Sequence, residues 1–215
     1  MEKLKLGLAG DQLEFVQMMI LIAFFQGAAL GWIALFLYQS NISWGVAFGL
    51  RPPSRIRAIA SGLAVGILVL PAVWVLQFIS EWAMELLKFK PVAQAAVTEL
   101  QSPALTVTEK ILFGLFTIVL APIAEEALFR GILYPSIKQT GHPRWALWGT
   151  SVLFGIMHFN MATLVPLVFL ALVLVFLYES SDSLLTPIAT HSMFNAANFF
   201  YLIFGEQIQR LLHIS

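Results

Sequence analysis

The chain of 215 residues contains no cysteine. Disulfides, zinc–thiolate centres and thiol nucleophiles are therefore excluded. Charge is nearly as scarce: 12 basic and 12 acidic residues make up 11% of the chain and cancel to zero. Soluble domains carry about 25% charged residues. The balance of signs also removes the basic surface that binding to nucleic acid requires, so no nucleic-acid partner is expected. Apolar side chains fill the place of charge, at 59% of the residues. This combination predicts an all-α, polytopic membrane bundle whose surroundings are lipid.

A membrane-spanning helix needs about 20 apolar residues. Val16–Tyr38 and Ala58–Ser80 have no charge and read as spans, separated by a loop with Arg51, Pro52, Pro53, Arg55 and Arg57. From Glu81 to Lys110 charges and Pro91 and Pro103 recur, which reads as an extramembrane connection with an amphipathic piece at Trp82, Leu86, Leu87 and Phe89. Ile111–Tyr134 is long enough to span but contains Glu125, Glu126 and Arg130. Trp145–Tyr178 has no charge, yet as one straight helix it would measure about 51 Å against a hydrocarbon core of roughly 30 Å. Two spans joined by a turn near Phe159–Thr163 fit better. Ser183–Gly205 reads as the last span.

The expectation is about six spans with both termini on one side. Residues 1–107 hold two helices and the connection, 108–205 a four-helix core, and 206–215 a tail with Glu206, Arg210 and His213. Arg51, Arg55, Arg57, Lys138 and Arg144 fall on one side; Lys3, Lys5, Lys88, Lys90, Lys110 and Arg210 fall on the other. That distribution gives no orientation under the positive-inside rule. Glu2, Asp11 and Glu14 argue against a basic leader region. Short loops point to a prokaryotic or organellar multi-pass protein, hence a plasma or inner membrane.

Charges inside a span are costly and mark function. Glu126 and Arg130 are four residues apart and share a helix face, while Glu125 is turned about 100° away. One carboxylate can thus be neutralised and the other left to act as a base, although spacing does not rank them. A pair that merely ties helices together has the same pattern. Phe154 and His158 share one spacing of four, and His191 and Asn195 another. Separately, these read as packing groups and helix–helix glue. Together they offer a carboxylate to deprotonate water, an imidazole to share the proton, and an imidazole N–H and amide N–H to meet an oxyanion. Glu125, His158 and His191 could instead form a His₂Glu zinc site, but no H-E-x-x-H is present, and the preferred reading needs no cofactor.

Glu125–Arg130 is E-E-x-x-x-R, Phe154–His158 is F-x-x-x-H and His191–Asn195 is H-x-x-x-N, preceded by Ser183-Leu184 and Pro187-Ile188. This order resembles the CPBP family of CAAX proteases and bacteriocin-processing proteins, across about residues 108–200. The resemblance implies an intramembrane endopeptidase of the glutamate type acting on lipidated or membrane-proximal polypeptides, prenylated CAAX or leader-peptide substrates among them. It implies that Glu125 and His158 activate water and that His191 and Asn195 form the oxyanion hole. Glu126 and Arg130 would organise the site, with Phe154 packed beside it. Two other readings stand beside it: a non-catalytic scaffold or bacteriocin-immunity protein, and a proton-coupled transporter using Glu125 and Glu126.

Overall fold

A computed structural model describes residues 10–92, 95–103 and 105–211. Lys3, Lys5 and His213 lie outside the described residues. Every regular element among those described is helical. Helix α1 (Gly10–Gln39) is followed by the short α2 (Trp44–Ala47), the long α3 (Arg55–Leu86) and the short α4 (Ala95–Leu100). A composite helix then runs from Val107 to Gln139 as α5 (Val107–Leu115), α6 (Ala121–Leu128) and α7 (Tyr134–Gln139), joined by wider π turns. Helices α8 (Pro143–Ile156), α9 (Met161–Ser181) and α10 (Leu185–Leu211) complete the bundle.

The fold is a polytopic helical bundle, and among the described residues 4 helices are long and apolar enough to cross a membrane: α1, α3, the composite helix and α9. Two of the expected six spans differ. Helix α8 has 14 residues, about 21 Å of rise, less than a hydrocarbon core of roughly 30 Å. Helix α10 is long but carries Thr186, Thr190, His191, Asn195 and Asn198, and the first three are buried. Its polar groups serve the interior rather than lipid. The charge-free run breaks between Ile156 and Met161, at the start of the expected turn. Phe159 takes a left-handed backbone (φ 50°), and Asn160 caps α9 by accepting from the Thr163 N–H.

The connection also shrinks. Helix α3 continues through Trp82 to Leu86, and α5 begins at Val107 behind a capping box between Thr106 and Glu109. The intervening chain is anchored, because Leu100 and Leu105 are buried with Phe15 and Phe113.

Helix α3 lies against α10 and α9, and α1 lies against α6. The α3–α10 crossing depends on Gly62 and Gly66. A Cβ at Gly66 would come within 2.7 Å of the Met193 Cβ and 2.8 Å of the Thr190 carbonyl oxygen. The approach allows Thr190 Oγ1 to donate to the Gly62 carbonyl at 2.9 Å. Small residues at membrane helix crossings permit this kind of contact. The main apolar core forms where Val69, Leu70 and Val73 of α3 meet Phe129, Phe154, Leu170, Leu174 and Phe194.

Candidate active site

The composite helix is shaped by two prolines. A proline lacks an N–H and its ring presses on the carbonyl four residues earlier. For Pro122 that carbonyl belongs to Ile118, inside the π turn Phe116–Leu120; for Pro135 it belongs to Gly131, inside the π turn Phe129–Leu133. Each π turn widens the backbone where a proline needs room, and the two turns bracket Glu125 and Glu126.

Glu126 is the buried centre. It is 0% exposed, and Arg130, at 1%, donates Nη1–H to its Oε1 at 2.9 Å. His191 of α10 donates Nδ1–H to the same oxygen at 2.9 Å. Arg130 also donates Nη2–H to the Ala171 carbonyl of α9 at 3.0 Å, and its guanidinium lies 4.9 Å from the centroid of the Phe154 ring. One i,i+4 pair thus links the composite helix to α8, α9 and α10. The tie between helices and the electrostatic organisation are the same contact.

Glu125 has a different environment. It is 20% exposed, and its two oxygens face different elements. Oε1 accepts from Gln26 Nε2 of α1 at 3.1 Å. Oε2 lies 3.9 Å from His191 Nε2. The two adjacent carboxylates therefore flank one imidazole, with Glu126 on Nδ1 and Glu125 near Nε2. Gln26 is absent from the sequence expectations, because an uncharged amide in a span carries no obvious signal.

His158 is not on a helix face, since α8 ends at Ile156 and His158 sits in the turn beyond it. Its Nδ1 lies 2.8 Å from the Phe154 carbonyl oxygen. A carbonyl only accepts, so Nδ1 carries the proton and Nε2 of the neutral ring is the acceptor. Among the described residues no hydrogen bond joins His158 to Glu125. Phe154 is more central than its expected packing role: its ring centroid lies 4.9 Å from that of His158, 5.7 Å from that of His191 and 5.2 Å from that of Phe129. Asn195 donates Nδ2–H to the Thr117 carbonyl at 2.8 Å, inside the first π turn. An amide –NH₂ has two N–H groups, and this bond uses one.

Among the described residues no group of three or more His, Asp or Glu side chains is placed to hold a metal ion. The Nδ1 atoms of His158 and His191 are directed to the Phe154 carbonyl and to Glu126, which leaves Nε2 as the outward nitrogen of each ring.

Residues 107–197 match the family described as type II CAAX prenyl endopeptidase, Rce1-like. The match is consistent with the CPBP resemblance and includes all three motifs; α1 and α3 lie outside it. A membrane-protease family and several apolar helices together mark a multi-pass membrane protein. No curated protein and no solved structure matches the chain.

Proposed function

We propose that the protein, whose residues 107–197 match the Rce1-like family, is an intramembrane endopeptidase in which Glu125 activates the water. The observation that carries this is the contrast between the adjacent carboxylates. Glu126 is locked beneath Arg130 and His191, whereas Glu125 is partly exposed beside the same imidazole. A carboxylate already bound by two donors is a poor base, so the water falls to Glu125. His158, with Nε2 as the acceptor, shares the proton taken from water and passes it to the leaving amine. The attacked carbonyl becomes a tetrahedral oxyanion. Asn195 offers it the amide N–H that Thr117 does not use, and His191 offers Nε2–H when the ring carries both protons. Arg130 balances the charge on Glu126, and Phe154 fixes the two imidazoles relative to each other.

The substrate in this reading is a polypeptide held at or in the bilayer by a lipid or by its own apolar segment, with a prenylated CAAX tail as the first candidate. Purified protein in liposomes should cleave a farnesylated CAAX-type peptide or an unlipidated membrane-proximal peptide, with products identified by mass spectrometry. Glu125→Gln should abolish cleavage. Cleavage by Glu125→Gln at the wild-type rate would overturn the assignment, and cellular function retained by that variant would favour the scaffold reading.

A further inference from the structure

We propose that Gln26, on α1 and outside the Rce1-like segment, is a positioning residue for Glu125. The inference rests on the reading of Glu125 as the residue that activates water. Gln26 holds Oε1 at 3.1 Å, which turns Oε2 toward His191 Nε2 at 3.9 Å. Without a partner on Oε1, the carboxylate could rotate about its last bond and present either oxygen, or neither, to the water.

The placement of Gln26 within α1 supports a dedicated contact. The inward stripe of this helix is Phe15, Met19, Ile22, Gln26, Leu30, Ile33 and Leu37, with successive spacings of three and four. Gln26 is its polar member and is only 7% exposed. A buried amide in an apolar helix is costly unless it is hydrogen-bonded, and Glu125 supplies that bond. Phe24 and Phe25, beside it in sequence, are 72% and 50% exposed, as lipid-facing residues are. The groups facing Glu125 are thus Gln26 from α1 and His191 from α10, with the Glu126–Arg130 pair next to it on its own helix. Among the described residues outside 107–197, Gln26 is the one bonded to Glu125.

The experiment uses the full chain in liposomes, with Gln26→Met to keep the shape without the donor and Gln26→His to return an N–H at similar reach. Cleavage of the farnesylated peptide gives kcat and KM. Labelling of Glu125 by a hydrophobic carbodiimide, read by mass spectrometry, reports the carboxylate independently of any substrate. Gln26→Met should lower kcat on the order of 10- to 100-fold with KM within about two-fold. It should also label Glu125 several-fold faster, and Gln26→His should reverse both effects. Wild-type labelling in Gln26→Met would overturn the proposal whether or not kcat falls, because a loss of rate would then come from packing. Faster labelling together with full cleavage by Glu125→Gln would leave the Gln26 contact standing and defeat the catalytic reading of Glu125 alone. If the peptide is not cut by the wild type, the labelling rates decide.

Discussion

Helix α1 turns Ile20, Phe24, Trp32 and Phe36 outward and buries the amide of Gln26, whereas the composite helix, of similar length, buries Glu126 and Arg130 outright. The same contrast separates α1 and α3 as a pair from residues 107–197. The first pair presents wide apolar surface, including Leu68 at 75% exposure and Trp32 at 73%, and meets its neighbours mainly through glycines and apolar side chains, with Gln26 the polar contact from α1. The second region encloses a network in which Glu126 is held by Arg130 and His191. In a bilayer these are different tasks. Lipid-facing helices need bulk outside and close fit inside, while a hydrolytic site needs charges whose partners are fixed in advance.

The strongest way to break this comparison is at Glu125. Glu125→Gln should lower kcat on the order of 10⁴-fold while leaving thermal unfolding near wild type, measured on one preparation. Arg130→Met comes next. Removing the cation leaves Glu126 buried without its counter-charge, so unfolding in detergent should shift by roughly 3–5 kcal/mol. An unchanged midpoint would mean that the pair contributes nothing to the network. Asn195→Ala should cost about 10²–10³ in kcat, as the loss of one oxyanion donor does elsewhere; a change confined to KM would move Asn195 into substrate binding.

The N-terminal pair offers an internal contrast. Gly66→Val should destabilise by about 1–3 kcal/mol through overpacking, because a Cβ there meets Met193 and Thr190. It should also slow cleavage by displacing α10. Gly31→Ala, where nothing lies within 4 Å, should be neutral or stabilising by up to about 1 kcal/mol. Equal responses at the two glycines would erase the distinction between packed and lipid-facing positions. The smallest effect is expected at the exposed Lys138–Glu179 bridge, where Lys138→Ala should cost no more than about 0.2–1 kcal/mol by the same unfolding assay.

These outcomes also separate what the sequence could reveal from what it could not. Glu126 and Arg130 were legible because charge within an apolar run is costly and a spacing of four puts both on one face. His191 and Asn195 were legible by the same spacing. His158 was misplaced on a helix face because apolar content does not report where a helix stops; the signal was Asn160, a capping residue followed three positions later by Thr163. A charge-free run likewise does not distinguish a helix facing lipid from one facing other helices, which is why α8 and α10 stand apart from the four long apolar helices only in the structure. The partner of Asn195 is the backbone of Thr117, which no side-chain pattern names, although Pro122 foreshadowed an irregular turn just before it. Gln26 was overlooked as a neutral residue in a span, and only its place in the inward stripe of α1 sets it apart.

The brevity of α8 has a geometric consequence. Its 14 residues act as a ruler: a straight helix entering the hydrocarbon at Pro143 descends about 21 Å before it ends. In a layer roughly 30 Å thick, His158 would stand below the midplane as measured from the α7–α8 loop. In the proposed reaction a scissile bond meeting it would lie nearer the opposite surface, and the length of α8 would set how much of an anchored polypeptide remains in the membrane after the cut. Adding one turn to α8 should move that cut by about 5 Å, the rise of a single helical turn.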